Sequence, residues 1–317
     1  MKKIIGLFVF MSMHVSANDS TGFVATGGVQ YLKNKDIQMY SENLFISKKR
    51  IIVDYEFKNL SKHLVNETIL FPLPKVQNYM DYDYADATGL IDSFKIQVNG
   101  QRIQPQVHVR AFLPSNEQEY VHDGDFQADV TNELMACSLT QQELIQPWKG
   151  ENADISTSIQ QKIQTCKNPR VQKLLKIQDE DLIRWQSQVI YSWKQNFKAN
   201  SMTRIQHEYA PLVGGSVSLY PEEDEKTYCM DQSFKAGLKK AKSQYAPYQA
   251  LGYILKTGAN WAKPIQNFKL TIERDPNELV SFCWNGQVKK ISSTQFQMTE
   301  KNFVPKQDLD IIFVRKF

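Results

Sequence analysis

No run of eighteen consecutive apolar residues occurs anywhere in the chain, so the sequence offers no ordinary transmembrane helix. It has no C-x-x-C pair, which removes the short thiol spacing of a thioredoxin-like centre or a structural zinc site. It has no G-x-S-x-G serine elbow, and its glycine pairs, Gly27-Gly28 and Gly214-Gly215, form no phosphate-cradling loop. A surplus of one charge is also missing: the formal net charge is +4, and +2 without Lys2 and Lys3. That balance gives no reason to expect nucleic acid or an acidic membrane as partner. Histidine is scarce, and His122 beside Asp123 lacks further ligands at zinc spacing. The clusters Asp81, Asp83, Asp86 and Asp123, Asp125 lack the twelve-position loop and closing glutamate of an EF-hand, so they read as solvated turns. No metal and no cofactor is expected. Low-complexity tracts and fixed-period repeats are absent as well.

What is present begins with MKKIIGLFVFMSMHVSA: two lysines, an apolar stretch, then Val15 and Ala17 spaced as at a signal-peptidase site. The expectation is export to the periplasm or the medium, with cleavage before Asn18. The residue after that point is Asn18 and not cysteine, and no long apolar run follows, so neither a lipid anchor nor a transmembrane anchor is expected to remain. Residues 18–317 are enough chain for a large core.

From Gly27 through Phe112 a partial period of two dominates. In RIIVDYEFKNLS, Ile51, Val53, Tyr55 and Phe57 alternate with Ile52, Asp54, Glu56 and Lys58, the pattern of a strand with one packed face. Asn99-Gly100, inside FKIQVNGQRIQPQVHVRAF, predicts a tight hairpin turn. Near Asp129 the pattern changes to helix formers, with Ile155, Ile159 and Ile163 at spacing four. Asp129 or Thr131 is expected to cap the first helix; Thr140 and Glu143 have capping-box spacing, and Pro169 suits a first helical turn. Alternation resumes in SQVIYSWKQNF and TRIQHEYAPLVG. An acidic loop, PEEDEK, and a short helix over DQSFKAGLKKAKSQ come next, and strands then run to LDIIFVRKF. The chain is therefore expected to be mainly β: an antiparallel β-sandwich with a helical insertion and a further C-terminal β region. The expected divisions are a signal peptide at 1–17, an N-terminal sandwich at 18–128, the insertion at 129–186 and a C-terminal β-rich region at 187–317 packed against the N-terminal one.

The four cysteines suit two disulfides, with Cys137 to Cys166 and Cys229 to Cys283 preferred because each pair staples a local region. In RIQHEYAPLVGGS, His207 and Tyr209 share one strand face with Ile205, while Glu208 faces the other way, so His207 and Glu208 are no acid–base pair. His207 and Tyr209 are candidate ligand contacts if exposed at a sheet edge, and structural residues if buried. Trp261, in TGANWAKPIQNFKLTIE, is read as a plug at the end of the sandwich, with a ligand platform as the alternative. Tyr79, Tyr82, Tyr84, Trp185 and Trp193 serve equally a groove or a sheet core. Asn59 and Asn66 stand in glycosylation sequons that read first as polar turns.

Taken in order, ATGGVQ, DIQMYSENLFIS, VDYEFKN with ILFPLP, ADVTNEL, IYSWKQNF, RIQHEYAPLVGG, YILKTGANWAKPIQNFKLTIER, LVSFCW and NFVPKQDLDIIF resemble an uncharacterised family of exported bacterial proteins, DUF4424. The resemblance spans nearly all of residues 18–317, implies a periplasmic or secreted location, and carries over no catalytic residue. Glu56-Phe57-Lys58-Asn59 followed by Phe71-Pro72-Leu73-Pro74 is loosely similar to vault and inter-alpha-trypsin-type sandwich domains over about a quarter of the chain. The leading expectation is a non-enzymatic binding or interaction protein of the cell envelope, its partner a protein, glycan or small ligand. An envelope polymer or carbohydrate hydrolase built on His207, and a purely structural envelope role, are the alternatives.

Overall fold

The computed structural model describes residues 20–25, 28–77, 87–115, 126–145, 153–177 and 183–317. The proposed signal segment, the two aspartate clusters, His122, Tyr79, Tyr82 and Tyr84 lie outside them.

The first described strands are β1 (Ser20–Ala25), β2 (Gly28–Leu32), β3 (Ile37–Ile46), β4 (Ile51–Asn59), β5 (Val65–Pro72) and β6 (Val76–Gln77). Helix α1 (Ala87–Asp92) leads into β7 (Lys95–Val98), β8 (Gln101–Ile103), β9 (Gln106–Pro114) and β10 (Phe126–Asp129). Four helices follow: α2 (Thr131–Ala136), α3 (Gln141–Ile145), α4 (Ala153–Gln164) and α5 (Pro169–Leu175). Then come β11 (Gln186–Phe197), β12 (Met202–Tyr209), β13 (Gly214–Ser216), α6 (Pro221–Thr227), α7 (Gln232–Lys240) and β14 (Tyr248–Tyr253). The chain closes through β15 (Ile265–Glu273), β16 (Glu278–Phe282), β17 (Lys289–Lys290), β18 (Gln295–Phe303) and β19 (Leu309–Arg315).

These strands form three sheets. Sheet A runs β10-β9-β11-β5-β1-β2, with β6 beside β11; sheet B runs β17-β18-β15-β3-β4-β12-β7-β8; sheet C runs β13-β14-β19-β16. Pairing is antiparallel except where β15 lies parallel to β3. Sheets A and B face each other, as the rings between them show. Phe71 and Trp193 of sheet A reach His207 of sheet B at centroid distances of 4.7 and 5.5 Å. The alternation in β4 is strict: Ile51, Val53, Tyr55 and Phe57 are buried and the residues between them are not. Each inward side chain there removes apolar surface from water, which stabilises by about 1.5–3 kcal/mol for a large residue.

Local chemistry explains the connections. Asn99 (φ 49°) and Gly100 (φ 80°) both take left-handed backbone, as a two-residue turn between β7 and β8 requires. The Thr140–Glu143 box is reciprocal: Thr140 N–H donates to Glu143 Oε2 at 2.7 Å and Glu143 N–H to Thr140 Oγ1 at 3.2 Å. Pro169 opens α5 behind Asn168, whose side chain accepts from the backbone of Arg170 and Val171. At α2 the expectation is corrected. Val130 holds the cap position, and Asp129, ion-paired to Arg110 at 2.8 Å, takes the Thr131 N–H from one residue further back. PEEDEK is likewise helix, not loop: Pro221 stands at its start, and Asp224 accepts the Tyr220 N–H at 3.0 Å.

The helical insertion packs on the main core through Leu134, Leu144, Ile159, Ile163 and Val171, and Cys137–Cys166 ties α2 to the residues before α5. Cys229–Cys283 ties the segment between α6 and α7 to the end of β16. Strand β19 divides its faces. Ile311 and Phe313 enter the main core, while Ile312 and Val314 join Phe234 and Leu238 of α7 in a smaller one. Burial on both faces is why Ile311, Ile312, Phe313 and Val314 form an unbroken apolar run within LDIIFVRKF.

Candidate functional site

The residues nominated from sequence lie inside the protein. Strand β12 is not an edge: β4 and β7 flank it, and His207 is fully buried among Tyr55, Phe71, Phe94 and Trp193. Tyr209 is buried beside Phe71, and burial raises its hydroxyl pKa far above the ordinary phenol value. Trp261 is buried with its ring 4.6 Å from Phe57. The three side chains face the sandwich interior, and Glu208 faces away from His207 as its position in the strand requires.

A different tryptophan lines a cavity. After β16 the chain passes Cys283 and bends through Trp284, Asn285 and Gly286. The Trp284 ring lies nearly parallel to Phe268, with centroids 5.7 Å apart and planes 13° from each other. Phe303, at the end of β18, completes the cluster at 4.5 Å from Phe268 and 5.6 Å from Trp284. Trp284 and Phe303, with Glu300, Lys306 and Leu255, line a cavity of about 260 Å³, and Phe268 packs behind the two rings.

Gly286 explains how its polar groups meet. A Cβ built there would fall 2.2 Å from Glu300 Oε1 and 2.8 Å from Trp284 Nε1, so any side chain would displace one or both. The missing side chain lets a carboxylate oxygen and an indole nitrogen converge on one small volume. That indole N–H is buried and has no hydrogen-bond partner among the described residues. A buried donor left unsatisfied costs about 1–3 kcal/mol, so its position asks for an acceptor. Asp308, also at the cavity, is already committed: its Oδ1 accepts from the Leu255 and Lys256 backbone at 3.0 and 3.1 Å, and Oδ2 ion-pairs Lys256 at 3.2 Å. Glu300 is the carboxylate left to face a ligand.

The broad polar depression on the outer face of sheet B differs in this respect. Arg204 pairs with Glu56 at 3.0 Å, Ser41 donates to the same carboxylate at 3.1 Å, and Gln206 donates to Asp54 at 2.5 Å. Those groups satisfy one another across the strands, as on an ordinary solvated face. Among the described residues no group of three or more His, Cys, Asp or Glu is placed to hold a metal ion, and no helix is long and apolar enough to cross a membrane.

Away from the cavity, Lys75 donates to the Phe126 carbonyl at 2.6 Å and sits 3.8 Å from the Phe112 ring centre. Burial, reinforced by Arg110 and opposed by Asp129, lowers its pKa to about 8. Its unfolded-state pKa is the higher one, so the unfolded chain binds the proton more tightly between about pH 8 and the ordinary lysine range, and folding gains stability as pH rises through that window. Denaturant midpoints of the wild type and Lys75→Met, compared at pH 7 and pH 10, should shift in the wild type's favour at the higher pH. A pH-independent difference would contradict the lowered pKa.

Sequence reasoning missed Trp284 and Glu300 because the cavity is assembled from the ends of β16 and β18 and the start of β19. The only local signal is Trp284-Asn285-Gly286, a tryptophan followed by turn residues directly after a disulfide cysteine.

A family model described as "Domain of unknown function (DUF4424)" matches residues 17–312. No curated protein matches the chain. Among solved structures, a candidate nutrient-binding protein from Legionella pneumophila superposes with a TM-score of 0.44 at 14% identity, over 94% of this chain and 70% of that one. An M1 zinc metallopeptidase from Deinococcus radiodurans gives a TM-score of 0.24 at 9% identity, over 90% of this chain and 43% of that one. Neither likeness places a ligand, a metal or a reaction here.

Proposed function

This chain belongs to the DUF4424 family, and from that premise we propose that it is an extracytoplasmic binding protein whose Trp284 cavity takes a small hydroxylated ring compound of the monosaccharide class. The observation that carries the reading is the meeting of the unpartnered Trp284 N–H and the Glu300 carboxylate over Gly286. A single hydroxyl answers both, because its oxygen accepts from the indole while its hydrogen is donated to the carboxylate. An ammonium group satisfies Glu300 alone, and a carboxylate satisfies the indole alone. The rings of Trp284 and Phe303, backed by Phe268, add an apolar wall of the kind on which the C–H face of a sugar packs. A cavity of about 260 Å³ suits a ligand of one ring. The apolar N-terminal segment with its V-S-A ending and the two disulfides support a location outside the cytoplasm.

Saturation-transfer NMR on the folded protein, with a panel of neutral monosaccharides and a second panel of zwitterionic amino acids, tests this directly. At least one sugar should give a signal that Gly286→Ala abolishes, with the melting temperature changed by only a few degrees, because the side chain it displaces first is the flexible end of Glu300. Glu300→Gln keeps an acceptor but loses the charge, and should weaken binding about three- to tenfold. Saturation transfer from amino acids alone, or a sugar signal untouched by Gly286→Ala, would reject the assignment.

A further inference from the structure

On the outer face of sheet A, His108 of β9 and Ser192 of β11 meet across the strand pair, with His108 Nε2 2.7 Å from Ser192 Oγ. The contact sits in a groove of about 630 Å³ that also includes Thr68, Gln106 and Lys194. Strand geometry sets this composition. Ser192 and Lys194 are two apart on β11 and so share a face, and Thr68 of β5 stands directly opposite Lys194. Tyr191 and Trp193, which alternate with them, point into the core instead. Ser192 is almost completely buried at the floor of the groove, while His108 is half-buried between it and solvent.

We propose that Ser192 and His108 are a nucleophile and its general base, and that this groove hydrolyses small carboxylic esters. The activity is independent of ligand binding at Trp284. As the Ser192 Oγ–H proton passes to His108 Nε2, Oγ bonds to the ester carbonyl carbon. Nε2 then gives that proton to the alkoxide oxygen as the C–O bond breaks, and the alcohol leaves. Water adds to the acyl group in the same manner, its proton passing through Nε2 back to Oγ, and the carboxylic acid departs. Ester and water are consumed, alcohol and acid are formed, and no other reactant is needed. The Lys194 ammonium, on the same face, supplies positive charge toward the oxyanion formed at each addition. Burial holds the His108 pKa below its ordinary value, which keeps the imidazole neutral and able to accept a proton near neutrality.

The test treats the intact folded protein with diisopropyl fluorophosphate and maps adducts by peptide mass spectrometry, with p-nitrophenyl acetate turnover measured in parallel. One adduct, on Ser192, is expected. Ser192→Ala should abolish it, and both Ser192→Ala and His108→Gln should lower p-nitrophenolate release at least tenfold while the circular dichroism spectrum stays native. The His108→Gln variant keeps the nucleophile in place, so its slower labelling separates activation by the imidazole from simple exposure of a serine. The proposal is overturned by a folded wild type that acquires no adduct at Ser192, or by ester turnover that survives Ser192→Ala.

Discussion

Trp261→Ala should lower the unfolding free energy by about 3–5 kcal/mol, the range for truncating a large buried aromatic. The ring is 2% exposed and packs against Phe57, near the end of β4. Its position adds to the loss. Just before it, the Asn260 carbonyl accepts the Asn34 N–H at 2.8 Å; just after it, the Ala262 N–H donates to the Ile37 carbonyl at 2.9 Å. Trp261 thus fills the corner at which the C-terminal chain is brought alongside β3, and the cavity left by alanine opens where two distant segments are joined. Trp261→Phe keeps an aromatic ring and should cost markedly less. Denaturant titration gives both values, and the monosaccharide signals of the folded variants should be retained, because this ring lies on Phe57 and not at the Trp284 cavity. A Trp261→Ala protein as stable as the wild type would mean that the corner collapses around the missing ring.

The second large effect separates two disulfides of similar expected strength. Removing Cys229–Cys283, which closes a sequence separation of 54 residues, should cost about 4 kcal/mol on the chain-entropy relation. Removing Cys137–Cys166, with a separation of 29, should cost about 3.5 kcal/mol by the same relation. Their functional consequences should differ. Cys283 immediately precedes Trp284, so Cys229→Ala/Cys283→Ala releases the segment that sets the indole against Phe268, and ligand affinity should fall at least fivefold. Cys137→Ala/Cys166→Ala loosens the helical insertion and should leave that affinity unchanged in the folded fraction. Paired denaturation and NMR titrations of the two double variants check this, and equal losses of affinity would show that the bond does not position the cavity.

Legibility from sequence tracks the range of the interactions concerned. The Asn99-Gly100 turn, the Thr140–Glu143 box, the Pro169 helix start and the Phe234/Leu238 helix are set by residues within about four positions of one another, and the structure has them. Both preferred disulfides are present too, since each joins ends of a compact local region. PEEDEK defeats a reading by polarity, because acidic residues suit a loop, whereas after a proline they also suit a helix start by electrostatics. His207 and Tyr209 show the limit of periodicity: alternation puts them on one face, but only the order of strands in sheet B puts that face in the interior. The His108–Ser192 contact spans 84 residues, and the Trp284 cavity draws on the ends of β14, β16 and β18 and the start of β19. No local pattern encodes either meeting.

The parallel pairing of β15 with β3 also sets an order of events. Gln38 of β3 donates to the Pro264 carbonyl at 3.1 Å across 226 residues of sequence, and six consecutive residues of β3 are in register with Asn267–Ile272. A chain growing from its N-terminus can zip β3 to β4 early, but the other flank of β3 has no mate until about the last sixth of the polypeptide arrives. Closing such a distant ladder is slow, and an unmated strand flank invites pairing with another molecule in the interval. A product truncated before residue 265 does not become a smaller stable sandwich; it keeps an adhesive seam, and aggregation or proteolysis is its expected fate.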